Sequence, residues 1–297
     1  MRASDAGPSQ PRHLDVKVSR TGVALRIGGP APAELSSTTR AWPVPTSSIS
    51  SATIGISETW PGPRRWPMLL AEAHRVLQVG SPLVIEGSVP WSELTDGMDL
   101  GYLIEGGGFT ESRPPCAPDR AHWRVQACRA HSLADTVGPA MRVMIAGLNP
   151  SEHAATAGYG FAGPGNRFWP AATAAGLVSE PGNPRHALDH HGVGMTDLVK
   201  RATPRAAALA RSEYACGLTR LDALCRWLEP QLVCIVGITG WRAATGDRGA
   251  VIGPQPISLG DRPVYVMPNP SGLNAHTNHE DLMAHFVRVE RIAAGSA

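Results

Sequence analysis

From residue 141 onward the chain alternates two kinds of segment, and that alternation limits the folds open to it. Short, largely apolar runs at 142–146, 192–197, 231–236 and 263–267 have the length of strands, while 166–175, 212–228 and 278–292 carry apolar residues at helical spacing. Apolar strands separated by helices build a mostly parallel sheet covered on both faces, so a three-layer α/β/α domain is expected over 141–297. Ligands of such sheets gather at the carboxyl ends of the strands. The loops that follow 142–146 and 263–267 are therefore the first places to search for chemistry.

The preceding residues divide differently. Residues 1–12 read as a disordered leader, and Val16 and Val18, then Val23, Leu25 and Ile27, alternate around a turn at 20–22 as a hairpin would. Leu69, Leu70, Ala73, Val76 and Leu77 recur at helical spacing, Gly80 closes the run, and 82–86 is a short apolar strand. A smaller α/β domain is expected over 13–112. Residues 113–140, with Pro114, Pro115 and Pro118 at the front, read as a connector holding one short helix.

Bulk properties exclude several classes. A formal charge of +2 announces no global basic field, so a nucleic-acid partner has to be held by local geometry. Cys116, Cys128, Cys216, Cys225 and Cys234 are odd in number and form no C-x-x-C pair, which argues against a disulfide framework and against zinc or iron–sulfur ligation. No apolar run approaches the ~18 residues of a membrane span, and no signal peptide is recognisable, so a cytoplasmic location is expected. His186, His190 and His191 precede a glycine without a carboxylate or thiol at ligand spacing and read as a solvated helix end, so no metal is expected.

Two turn-rich segments stand at strand ends. One runs from Ala146-Gly147-Leu148-Asn149-Pro150-Ser151 to Gly158-Tyr159-Gly160-Phe161-Ala162-Gly163-Pro164-Gly165-Asn166-Arg167-Phe168-Trp169, and the other is Met267-Pro268-Asn269-Pro270-Ser271-Gly272-Leu273-Asn274-Ala275-His276. Either N-P-S copy alone is an ordinary turn. Together, and in this order, they resemble the mismatch-specific uracil-DNA and thymine-DNA glycosylase family of the uracil-DNA glycosylase superfamily over residues 141–292. The stretch Leu69 to Gly87, with the later Leu100 to Phe109, resembles the later part of a class I S-adenosylmethionine-dependent methyltransferase over about residues 50–112. That family's Gly-rich cofactor loop has only a poor counterpart in Ile27-Gly28-Gly29-Pro30, so a degenerate, cofactor-free remnant is expected.

The glycosylase resemblance implies an enzyme that extrudes a base from mispaired or damaged double-stranded DNA, breaks its N-glycosidic bond and starts base excision repair, without a cofactor, as a monomer at the nucleoid. Asn149 then positions the attacking water, and Asn269 falls where stricter relatives carry a histidine that hydrogen-bonds the departing base. Phe161 matches the stacking residue, with Leu148, Ser151 and Asn166 around the base; Ser151 stands where uracil-restricted relatives carry a tyrosine. Asn166 and Arg167 are read as capping the following helix or bracing the pocket, and Phe168 and Trp169 as core. Leu273, apolar at a loop tip, suits the vacated stack, and the backbone at Gly272 and Asn274 meets the opposite base. Ser271 and His276 are candidate phosphate contacts.

Neither turn-rich segment holds a lysine, so no amine is available for a Schiff base and water is the expected nucleophile. Lys200, outside both, is expected at the surface or on a phosphate. Two rival readings stand beside this one: an active methyltransferase with an accessory DNA-recognition domain, and a non-catalytic binder of mismatched or abasic DNA. The sequence does not rank uracil, thymine, ethenocytosine and hypoxanthine.

Overall fold

The computed structural model describes residues 12–19, 22–28, 49–56, 62–87, 93, 95–119, 122–272, 274 and 277–295. Leu273, Ala275 and His276, the leader before Arg12 and the Gly29-Pro30 part of the cofactor-loop candidate lie outside them.

The first six strands are β1 (Arg12–Ser19), β2 (Gly22–Gly28), β3 (Ile49–Ile56), β4 (Pro82–Gly87), β5 (Phe109–Asp119) and β6 (His122–Arg129), in the sheet order β2-β1-β3-β4-β6-β5. β1 and β2 pair antiparallel, as their alternation predicts. β3 and β4 are parallel and joined through helix α1 (Trp66–Val76), whose Trp66, Leu69, Leu70 and Ala73 are buried. Helix α2 (Leu100–Gly106) starts at Asp99, whose side chain accepts the Tyr102 N–H, and leads into β5. The supposed connector at 113–140 is largely sheet: β5 and β6 form an antiparallel hairpin, and β6 completes its ladder on β4. The prolines misled because β5 is the edge strand, where a missing N–H breaks no interior ladder.

The second sheet has the order β10-β11-β9-β7-β8, with β7 (Val143–Gly147), β8 (Val193–Asp197), β9 (Leu232–Val236), β10 (Gly253–Pro254) and β11 (Val264–Met267). All but the short β10 run parallel, and β7, β8, β9 and β11 are buried at every position, which explains the apolar runs of β7, β9 and β11; β8 departs from the pattern at Thr196 and Asp197. Alternate residues feed two cores. Val143 and Ile145 face Phe168 and Trp169 of α4 (Phe168–Ala174), Ala187 of α5 (Pro184–His191) and Leu282, Phe286 and Val289 of α8 (His279–Ala293). Met144 and Ala146 face Leu221, Leu224 and Leu228 of α6 (Arg211–Leu228) and Trp241 of α7 (Ile238–Thr245). The three layers are those expected. Two short helices escaped the sequence reading, α7 and α3 (Glu152–Ala157).

β7 lies between β8 and β9, so the chain leaves β7 toward one edge of the sheet and β9 toward the other. Their outgoing loops diverge and leave a crevice at the carboxyl ends, the usual ligand position in such sheets. The core on the α6 and α7 side is continuous with that of the first sheet: Ile54, Leu83, Ile85 and Val125 belong to the same buried cluster as Leu221 and Ile235. A charged knot crosses that seam. Asp135 bonds Lys200 Nζ at 2.7 Å, Arg220 Nη1 at 2.8 Å and the Thr196 hydroxyl at 2.6 Å, while its backbone N–H donates to the Gly106 carbonyl of α2. Burial pushes the Asp135 carboxyl up, but Arg220 and Lys200 outweigh it and hold the group below the usual range. Lys200 is thus a buried ion-pair partner, 4% exposed, and the surface or phosphate role expected of it is corrected. Sequence alone hid this because its partner lies 65 residues earlier, inside the presumed connector.

Candidate active site

A cleft of about 770 Å³ opens at that crevice, and every described site residue named from the sequence lines it or belongs to its loops. Leu148, Asn149, Ser151, Phe161, Asn166, Asn269, Ser271, Gly272 and Asn274 all meet there, although 126 positions separate the first from the last. Leu273 and His276, the wedge and phosphate candidates, lie outside the described residues.

Asn149 leaves β7 two residues past its end, and its Nδ2 is surrounded by acceptors. It donates to the Thr203 hydroxyl oxygen at 2.7 Å, the Arg201 carbonyl at 3.0 Å and the Pro150 carbonyl at 3.1 Å. The Thr203 hydroxyl donates its own proton to the Arg205 carbonyl at 3.0 Å and so presents a lone pair to Asn149. Only the amino end of the amide fits among three acceptors. No hydrogen bond among the described residues engages Oδ1, the acceptor end of a side chain that lines the cleft, and that is the polarity needed to hold a water by its proton.

Asn269 is fixed the other way round. Its Oδ1 accepts the Ser271 N–H at 3.0 Å, and no hydrogen bond among the described residues engages its Nδ2. The cleft therefore carries one amide presenting an acceptor and one presenting a donor. The second loop is tied to the first by Arg167, whose guanidinium donates to the carbonyls of Ser271 at 3.0 Å, Asn274 at 2.8 Å and Thr277, and whose backbone N–H donates to the Pro270 carbonyl at 3.0 Å. Arg167 is the brace, whereas Asn166, one residue before the N-cap, accepts the N–H of Phe168, the first residue of α4, with its Oδ1. At Gly272 the loops come so close that a Cβ would lie 2.8 Å from the Gly165 carbonyl oxygen. The Asn274 amide is spent inside the loop on the Asn269 carbonyl and the Thr277 hydroxyl.

Phe161 adopts a left-handed backbone, φ 61°, which costs a non-glycine residue roughly 1–2 kcal/mol. The compensation is visible. Its ring stacks on Phe168 with centroids 4.0 Å apart and planes 7° from parallel, and Phe168 is fully buried against Trp169 and Phe286. Trp169 in turn donates its indole N–H to the Gly160 carbonyl at 2.9 Å. A rigid aromatic shelf results. Ser151, expected only to leave room, also caps α3 by accepting the Ala154 N–H at 3.1 Å. Leu148 closes the cleft floor against Gly237 at the start of α7.

Sequence reasoning missed three contributors. Thr203 orients Asn149, and Arg205 lies exposed at the cleft margin. Asp197, the last residue of β8, lines the cleft with its carboxyl buried and raised from its ordinary 3.8 to about 6, chiefly by burial and against the pull of Lys200. Its place at a strand end, where ligands of such sheets gather, is the signal that marks Asp197 in the sequence.

The sequence matches the Uracil DNA glycosylase superfamily over residues 134–290. Among solved structures, a solution NMR structure of a candidate uracil DNA glycosylase from Methanosarcina acetivorans is 20% identical, with 54% of this chain and 97% of that chain covered and a TM-score of 0.39. The family match takes in more than half of the chain and both loops of the cleft, and this protein belongs to the uracil DNA glycosylase superfamily.

Proposed function

We propose that this DNA glycosylase belongs to the mismatch-specific branch, hydrolyses the N-glycosidic bond of uracil flipped out of DNA, and leaves an abasic site. The observation that carries the reading is the opposed fixing of two amides in one cleft: Asn149 held through its nitrogen and Asn269 held through its oxygen. The first holds the attacking water; the second donates to a carbonyl of the base as negative charge grows there. Phe161 supplies the stacking face, a contact worth ~1–3 kcal/mol per base. No lysine lines the cleft among the described residues, and Lys200 is committed to Asp135, which supports water over an amine as nucleophile. Leu273 remains the proposed wedge on its residue type and loop position. The N-terminal half is read as a methyltransferase-like remnant that binds no cofactor, and heat on titration with S-adenosylmethionine would refute that part. No helix among the described residues is long and apolar enough to cross a membrane.

Duplex oligonucleotides bearing one U·G, T·G, ethenocytosine or hypoxanthine site test the main reading. Excision from U·G should give strands that break only after alkali. Breakage without alkali would contradict a water nucleophile, and intact strands on all four would sink the glycosylase reading.

A further inference from the structure

The rim of the cleft carries an apolar feature that has no part in the chemistry above. Four large apolar side chains are exposed among the described residues, and three of them, Val251, Ile252 and Ile257, fall in the stretch 251–257. Single exposed apolar residues are ordinary, but Val251 and Ile252 are adjacent, 66% and 41% exposed, and Ile252 lines the cleft itself. Their place follows from the sheet. Strand β10 pairs antiparallel to β11 with Gly253 opposite Val266, so the two residues before Gly253 stand at the carboxyl end of β11, beside the start of the loop that holds Asn269 and Gly272.

Their exposure is built in. Arg242 on α7 donates from Nε and Nη2 to the Ala250 carbonyl at 2.9 and 2.7 Å, and Gln255 Nε2 donates to the carbonyls of Val251 at 2.7 Å and Gly253 at 2.9 Å. Gln255 is itself anchored, its Oε1 accepting the indole N–H of the buried Trp241 at 2.9 Å. With the backbone pinned on either side of them, the two side chains cannot fold back into the core without breaking these bonds.

The neighbouring prolines narrow the choice of partner. Pro254 and Pro256 are exposed at the β10 edge and lack the N–H that an added strand would pair with, so this edge does not suit a protein that docks by strand addition. Nucleic acid fits the position instead. A base that enters the cleft is delivered by its own strand, which has to cross the rim, and its departure from the stack uncovers the apolar face of the neighbouring base. Building on the base-excision reading of the cleft, we infer that Val251 and Ile252 pack on the nucleotide adjoining the flipped one in the damaged strand, against its deoxyribose and the uncovered base face. Such a contact forms only where a nucleotide has left the stack, and being apolar it releases no counterions.

The test compares the full-length parent with the double variant Val251→Ser, Ile252→Ser, two exposed positions whose exchange leaves the core untouched. On a duplex with a tetrahydrofuran abasic site the variant should bind about tenfold more weakly with the same salt dependence, while an undamaged duplex binds both alike. A 2-aminopurine next to the abasic site should brighten on binding the parent and less on binding the variant, and Ile252→Leu alone should keep the parent's affinity. Equal affinities of parent and double variant for the abasic duplex, or a shallower salt slope in the variant, would overturn the inference. So would a parent dimer that the exchange dissolves, which would assign the patch to a second copy of the chain. A parent that excises no base yet loses abasic-duplex affinity on the exchange would remove the glycosylase reading and leave this contact in place.

Discussion

The sharpest test of the water-positioning geometry is Thr203→Val, which changes one hydroxyl for a methyl of nearly the same volume. Thr203 supplies the shortest of the three contacts to Asn149 Nδ2, 2.7 Å, while the Arg201 and Pro150 carbonyls at 3.0 and 3.1 Å remain in the variant. A neutral hydrogen bond is worth a net ~0.5–1.5 kcal/mol, and at about 1.4 kcal/mol per decade the excision rate should fall roughly 2- to 12-fold. Asn149→Ala removes the dipole itself and should cost ~10²-fold or more. Because Thr203 acts only through Asn149, the effects should not add. In the Asn149→Ala background, Thr203→Val should change single-turnover excision of U·G by less than twofold, while affinity for the duplex stays the same throughout. Full additivity, or loss of DNA affinity with Thr203→Val, would refute the claim that this hydroxyl works by orienting the amide.

Two further outcomes follow from the buried charges. Asp197 binds its proton more tightly folded than unfolded, so its contribution to stability is greatest at low pH and is lost as pH rises from about 4 to about 6; Asp197→Asn should recover up to ~3 kcal/mol at pH 7 in denaturant titrations and little at pH 3.5, and equal gains at both would contradict the raised titration. Asp135→Ala leaves Lys200 and Arg220 as unpaired buried cations, a penalty of about 3–5 kcal/mol; melting followed by circular dichroism should fall accordingly, whereas parent-like melting would mean that the knot is dispensable.

The C-terminal layers were legible because β7, β9 and β11 are buried on both faces and read as short apolar runs, whereas β8 carries that signal only as far as Met195. The two loops were legible as motifs, and the described residues named from them do converge on one cleft. Interactions between distant segments were not legible. Nothing in Thr203 distinguishes it from any threonine until Arg201 and Asn149 are folded beside it. The proline-rich stretch of β5 hid an edge strand, and with it the place of Asp135 between the two halves. Ser151 and Asn166 illustrate the converse: each lines the cleft, and each also accepts a backbone N–H in the first turn of a helix.

The three acceptors around Asn149 also bear on how this site can change over generations. Aspartate is the isosteric, charged alternative to asparagine at this position. Here a single Asn149→Asp exchange would set a carboxylate oxygen against the Thr203 hydroxyl oxygen and the Arg201 and Pro150 carbonyls, where Nδ2 now donates. The Thr203 proton is engaged by Arg205 and cannot turn to meet it without giving up that bond. The charged alternative is therefore fenced off by its own neighbours. Accommodating it takes a rearrangement of 201–205 as well as the exchange itself.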